Sequence, residues 1–168
     1  MRKICVLFFF LLYSTLTFAN EGIYFINLDS ILNNTNYGKQ IVNKLKNVNS
    51  ANISEIEKDE KELKNIEDEI NKVKNLISEN ELNRKVEKLK EKILIYREKK
   101  DNIFQEYNNL KNKELKYFFD KITPVIEEYM ETNSIKIIIE KKNIFIADSK
   151  YDITNSLIKF INSKIKND

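Results

Sequence analysis

Acidic and basic side chains are the only groups abundant enough in this 168-residue sequence to suggest acid–base chemistry, with 26 Asp and Glu against 29 Lys and Arg. The sequence has no His, which excludes a His-based catalytic triad and a His-ligated metal site. The carboxylates stand at helix-surface spacings beside Lys residues, as in Glu57 and Lys61, which is typical of a solvated helix face. Gly22 and Gly38 are too sparse to build a loop that cradles phosphate groups. We therefore expect a protein that is not an enzyme and needs no cofactor or metal.

The first 19 residues have the order of a secretory signal peptide. Arg2 and Lys3 precede an uncharged run over positions 4–18, which is shorter than the roughly 20 residues that a membrane span needs. We expect export and cleavage after about Ala19, with an uncleaved membrane anchor as the alternative. Cleavage also removes Cys5, the only Cys, so the mature chain has no disulfide or thiol nucleophile.

The exported chain is nearly neutral. Removing Arg2 and Lys3 from the 29 basic residues leaves 27 against 26 acidic residues, so the formal net charge falls from +3 to +1. Charges of both signs alternate along the sequence instead of forming one basic face, which disfavours a nucleic-acid partner.

The stretch from Ile53 to Leu110 contains no Gly or Pro and predicts a long helical hairpin. Its apolar residues recur three and four positions apart, which is the spacing of a narrow helix stripe. The stripe loses register near 78–81, where we place a turn. If the chain reverses there, facing positions have residue numbers with a constant sum, and six such pairs consist of apolar or aromatic residues only. The seam predicted in this way contains Ile56, Leu63, Ile66, Ile70, Val73, Ile77, Leu82, Val86, Leu89, Ile93, Tyr96 and Ile103. We therefore expect an antiparallel arm over 37–123.

The charges agree with this pairing. Positions 55–69 hold eight acidic residues and three Lys, for a net charge of −5, whereas 84–100 hold eight basic and three acidic residues, for +5. Each exposed ion pair contributes only about 0.2–1 kcal/mol, so the charges mainly favour this pairing over a parallel or slipped one. The alternative is two solvated faces whose charges match by coincidence.

Four apolar residues of the arm lie outside the predicted seam, namely Leu76, Leu94, Ile95 and Phe104. They either pack on the flank of the hairpin or stand exposed without a role, which is common. The functional interpretation is a set of scattered apolar contacts for a partner, bounded by charged residues.

The segments on both sides of the arm predict a small α+β body over 20–36 and 124–168. Runs of β-branched and aromatic residues predict strands at about 23–27, 135–140 and 144–148, the last two joined as a hairpin. An amphipathic helix follows at about 153–166, and Pro124 is expected to kink or break the returning helix. Three short strands form a thin sheet with exposed edges, so we expect other copies of the chain to complete the body.

Several local strings resemble the Skp (OmpH-like) family of periplasmic chaperones. They are the run 23–27 followed by Ile31-Leu32, the string Tyr37-Gly38-Lys39, and the run 135–148 with Asp152-Ile153-Thr154 before the last helix. Together with the signal peptide and the hairpin, the similarity spans essentially the whole mature chain.

This resemblance implies a homotrimer in the periplasm, whose strands form the body and whose three arms enclose unfolded outer-membrane proteins without ATP. The residues assigned to the trimeric body on this basis are Ile23, Phe25, Ile137, Ile139, Ile144 and Ile146. The best-known members are strongly basic and this chain is nearly neutral, so electrostatic capture of clients and peripheral contact with a membrane stay open.

The predicted function is therefore that of a holdase chaperone, with Leu76, Leu94, Ile95 and Phe104 as candidate client contacts. Two other functions remain alternatives at this point. One is a structural coiled-coil adaptor or spacer of the cell envelope, and the other is an accessory factor that activates a partner enzyme such as a cell-wall hydrolase.

Overall fold

The computed structural model of the protein describes residues 22–165, and the predicted signal peptide over 1–19 lies outside this range. Strand β1 (Ile23–Ile26) and helix α1 (Leu28–Asn34) come first. The long helices α2 (Asn36–Val73) and α3 (Glu79–Thr132) follow. Strand β2 (Ile137–Glu140), two short 3-10 turns and helix α4 (Thr154–Lys164) close the chain. The fold is thus mostly helical with a small sheet, and the predicted antiparallel helical arm is confirmed.

The arm is long because two uninterrupted helices form it. Helix α2 has 38 residues and α3 has 54, which at 1.5 Å per residue corresponds to roughly 57 Å and 81 Å. The turn between them covers 74–78, slightly before the predicted tip at 78–81. Ser78 caps α3 by accepting a hydrogen bond from the Glu81 backbone N–H at 3.3 Å. Ile77, predicted to continue the helical seam, therefore lies in the turn.

Pro124 does not break the returning helix, which continues to Thr132. The ring removes the N–H that would otherwise bond the carbonyl of Asp120, but both residues are exposed, so water can hydrate that carbonyl. Ile122 is fully buried and Val125 is half-buried. Their packing holds the helix together across the proline.

The sheet is smaller than the sequence suggests and is parallel. Strand β1 pairs with β2 in a register that sets Ile23 opposite Ile137. The other edge of β1 is bonded by the backbone N–H of Ile153, which donates to the carbonyl of Phe25 at 3.1 Å. The prediction of a third strand at 144–148 is wrong for the single chain. The residues Lys141–Asn143 form a 3-10 turn instead of a hairpin turn, and the segment after it makes no ladder with β2.

The core lies where both ends of the arm meet the sheet and α4. Five of its largest side chains have no exposed area, namely Ile31, Phe118, Ile122, Leu157 and Ile161. They come from α1, α3 and α4, so the core joins the beginning of the chain, the base of the arm and the C-terminal helix. This packing fixes the direction in which the arm leaves the body.

Candidate functional site

The two helices of the arm are joined by ion pairs on one flank. The Lys99 ammonium lies 2.6 Å from a carboxylate oxygen of Glu55 and 2.6 Å from one of Asp59. Lys92 reaches Glu62 across the same gap at 2.6 Å. These pairs link the acidic stretch of α2 to the basic stretch of α3, in the antiparallel sense that the charge pattern predicts.

Hydrogen bonds between the two helices of the arm shift the pKa of Lys99 and the pKa of Glu60. The pKa of Lys99 is raised above its ordinary value by hydrogen bonding to Asp59 first and to Glu55 second. On the other flank, a hydrogen bond from the Tyr96 hydroxyl, followed by one from Lys100, lowers the pKa of the Glu60 carboxyl. Each shift favours the charged form that the ion pairs need.

All twelve residues of the predicted seam are half-buried or buried, while their immediate neighbours are mostly exposed. Ile70 is the most deeply buried of them, at 9% exposure. Ile56 and Ile103 line one cavity between the helices, and Leu63 and Tyr96 line another. In each of these two predicted pairs, the two side chains therefore line the same cavity, one from α2 and one from α3.

The first cavity, which we call the Phe104 cavity, has a volume of about 240 Å³ and opens between α2 and α3. Its apolar lining includes Ile53, Ile56, Ile103, Phe104 and Tyr107, and the polar residues Asn49, Asn52, Lys100 and Asp101 complete it. The second, the Ile95 cavity, has a volume of about 320 Å³ and is bordered by four of the charged residues, which are Asp59, Glu62, Lys92 and Lys99. The arm therefore offers one mainly apolar and one charged recess.

The four off-seam residues are strongly exposed, at 82% for Leu76, 63% for Leu94, 65% for Ile95 and 67% for Phe104. They are not flank packing of the hairpin in the single chain. Ile53 is also exposed, at 47%, although the sequence pattern assigned it neither to the seam nor to the contacts. Its place three residues before Ile56, beside Phe104 in the same cavity, is visible only once α3 is folded back on α2.

The six residues predicted to belong to the trimeric body differ in how exposed they are in the single chain. Ile23, Ile137 and Ile146 are exposed, Ile139 and Ile144 are half-buried, and Phe25 is already buried within its own chain. Phe145, which the sequence pattern did not assign to the trimeric body, is fully exposed. The body of the single chain therefore leaves several large apolar side chains in contact with water.

Comparison with known proteins identifies the family. The protein family described as outer membrane protein (OmpH-like) matches residues 22–161. The chain belongs to the OmpH-like (Skp) family. A crystal structure described as that of an OmpH-like outer membrane chaperone from Caulobacter crescentus CB15 has the same fold, with a TM-score of 0.73 and 16% identity. The match covers 87% of this chain and 86% of that one. No curated protein matches the chain by sequence.

The predicted family is therefore confirmed. OmpH-like proteins are periplasmic chaperones of outer-membrane proteins and are not enzymes. Over 22–165 of this OmpH-like chain, no helix has the length and apolar character to cross a membrane. Within the same part of the chain, no cluster of three or more acidic side chains is arranged to hold a metal ion.

The Glu60 interaction predicts a small pH dependence of the OmpH-like arm. Because its pKa is lowered in the folded state, ionised Glu60 stabilises the arm above the ordinary carboxyl pKa, and this contribution is lost as the pH falls through the lowered value. We expect Glu60→Gln to reduce the fall in thermal midpoint between pH 7 and pH 3 by about 1–2 °C, the size expected for one exposed pair. Glu57→Gln is the matched control, since Glu57 makes no ion pair within the described residues. An unchanged fall in Glu60→Gln would show that the pair does not stabilise the arm.

Proposed function

We propose that the mature protein is an ATP-independent periplasmic holdase, which binds unfolded outer-membrane proteins and delays their aggregation. The observation that carries the proposal is the set of apolar side chains left exposed along a charged helix pair in a chain of the OmpH-like family. A coiled-coil arm that served only as a spacer would gain nothing from Leu76 or Phe104 in water.

The chemistry of the clients fits such a surface. An unfolded β-barrel precursor exposes alternating apolar side chains and unpaired strand edges, both of which promote association with other chains. Contacts with Leu76, Leu94, Ile95 and Phe104 are each weak and reversible, but several on one arm act together through their high effective concentration. Such binding holds a client without trapping it and needs no nucleotide.

A homotrimer would allow several arms to enclose one client. In this proposal the body over 20–36 and 124–168 assembles through Ile23, Ile137 and Ile146, together with the half-buried Ile139 and Ile144 and strand β1 around Phe25. The arm over 37–123 projects from it, held by the predicted seam. The exposed apolar surface of the body supports this assembly because a single chain leaves it in contact with water.

The low net charge bears on how clients are captured. At a formal charge of +1 for the mature chain, long-range attraction of acidic clients or anionic lipid is weak. Apolar contacts therefore carry most of the binding in this proposal, and peripheral contact with a membrane surface stays an untested prediction.

Light scattering during dilution of a urea-denatured outer-membrane protein tests the function. We expect the mature protein to suppress aggregation at near-stoichiometric amounts without ATP, because its exposed apolar side chains cover those of the client.

The variant with Leu76, Leu94, Ile95 and Phe104 all replaced by Ser should bind at least tenfold more weakly while sedimenting like the wild type. A wild-type protein that leaves aggregation unchanged would contradict the proposal and favour an adaptor with one folded partner. Equal binding by the variant would remove these four residues from the mechanism.

A further inference from the structure

The Phe104 cavity has the size and lining of a receptor for one side chain. A sealed apolar cavity of about 150 Å³ is enough to bind benzene, and this one measures about 240 Å³. Ile53 and Phe104 stand partly in water at 47% and 67% exposure, whereas Ile56, Ile103 and Tyr107 are half-buried. An aromatic ring entering here would cover apolar surface that the folded arm leaves wet.

The opposite flank of the arm is unsuited to the same ligand. In α3, Ile95 of one cavity precedes Phe104 of the other by nine residues, and in α2, Ile53 precedes Glu62 by nine. Nine residues are two and a half turns at 3.6 residues per turn, so the two side chains of each pair project from opposite sides of their helix. The Phe104 and Ile95 cavities therefore lie on opposite flanks of the helix pair. Two of the nine residues that line the Phe104 cavity are charged, Lys100 and Asp101, against four of the seven that line the Ile95 cavity. On the Ile95 flank, an apolar side chain would therefore have to cover more charged groups, namely Lys92 and Lys99 with their carboxylate partners, and covering charged groups is unfavourable.

The polar groups at the Phe104 cavity match a polypeptide backbone. Besides Lys100 and Asp101, the amides of Asn49 and Asn52 line it, and neither amide forms a hydrogen bond with any other residue of the 22–165 segment. Each amide offers one acceptor oxygen and two donor hydrogens, the same kinds of group that a peptide unit needs as partners. A lipid acyl chain has no group that could form hydrogen bonds with either amide.

We infer that the Phe104 cavity seats one aromatic or large aliphatic side chain of an extended client segment, while Asn49 and Asn52 bond the adjoining backbone. This inference rests on the proposed holdase function and adds a defined position to it. Only one flank of the arm then carries a side-chain receptor, so Phe104 contributes more to client affinity than Ile95 does, although the two are almost equally exposed.

A matched pair of variants tests the difference. Phe104→Ser and Ile95→Ser each remove one exposed apolar side chain from α3, and circular dichroism checks that both remain folded. The ligands are an unfolded outer-membrane protein and a synthetic peptide of alternating Phe and Ser, with an alternating Ala and Ser peptide as control. We expect Phe104→Ser to weaken binding of the protein and of the Phe peptide about five- to tenfold, and Ile95→Ser to weaken it less than twofold. The Ala peptide should bind weakly to all three proteins.

Photo-crosslinking locates the contact directly. A benzoylphenylalanine at position 101 borders the Phe104 cavity, and one at position 92 borders the Ile95 cavity. The client should crosslink several times more strongly from position 101, and Phe104→Ser should abolish that excess. Equal crosslinking from both positions, or equal loss of affinity in both Ser variants, would overturn the inference while leaving the holdase function intact. If the wild-type protein binds no unfolded client at all, the proposed function fails instead. Displacement of the Phe peptide by a fatty acid at equal concentration would assign the cavity to lipid and overturn the inference.

Discussion

Replacing Phe145 and Ile146 together by Ser is expected to dissociate the proposed trimer of the mature protein into monomers. The two side chains are 102% and 84% exposed in the single chain, so in this proposal other subunits must cover them. Burial of one such side chain contributes about 1.5–3 kcal/mol. Loss of both costs roughly 3–6 kcal/mol per subunit, which lowers the association constant by more than a hundredfold. Sedimentation velocity at micromolar concentration measures the change.

A variant with the same number of apolar residues removed from the arm is the control. Leu94→Ser combined with Ile95→Ser takes away two exposed apolar side chains of the arm, at 63% and 65% exposure, and this protein should sediment like the wild type. A Phe145 and Ile146 double variant that keeps the wild-type sedimentation coefficient would show that the segment is not an assembly surface. A monomeric wild-type protein would contradict the trimer itself.

The arm could be predicted from the sequence because its determinants are local. Apolar spacing of three and four residues specifies a helix stripe, and the mirrored order of apolar residues specifies that the stripe folds on itself. The position of the turn was less predictable. The first helix could continue as far as Ile77, or the second helix could begin with Ser78 as its N-cap. The structure has the second arrangement, in which Ser78 accepts a hydrogen bond from the Glu81 N–H.

The sheet was harder to predict because strand composition does not say which edges meet. The run 144–148 has the residues of a strand but finds no neighbouring edge within its own chain. The observed partner of β2 is β1, more than a hundred residues earlier, and the two are brought together by the closing of the arm. The Phe104 cavity has the same origin, since Ile53 and Phe104 become neighbours only through the pairing of the two helices.

Replacing Gly38 by Ala is expected to destabilise the body strongly, although helix propensity alone predicts the reverse. Gly38 lies in the first turn of α2, where Ala is favoured over Gly by about 1 kcal/mol. A Cβ at this position would lie 1.9 Å from the backbone carbonyl oxygen of Leu32 and 2.7 Å from the Thr35 hydroxyl. The carbonyl belongs to α1, so relief of the clash requires α1 to move relative to α2. Overpacking of this kind costs about 1–3 kcal/mol and occasionally more.

An approach as close as 1.9 Å places the cost at the upper end of this range, about 3 kcal/mol. Because each kcal/mol shifts a domain of this size by about 2–4 °C, we expect Gly38→Ala to lower the thermal midpoint by about 6–12 °C. Circular dichroism at 222 nm on the mature protein, at one fixed concentration, measures it. Lys39→Ala is the control, because Lys39 is exposed in the same turn and its loss should change the midpoint by no more than about 2 °C. The sign of the change in thermal midpoint shows whether the higher helix propensity of Ala or the clash with the Leu32 carbonyl dominates. A midpoint equal to or above that of the wild type would mean that helix propensity dominates and that α1 does not press on α2. A large fall would show that the close approach of these two helices, which anchors the base of the arm to the body, depends on the absence of a side chain at Gly38.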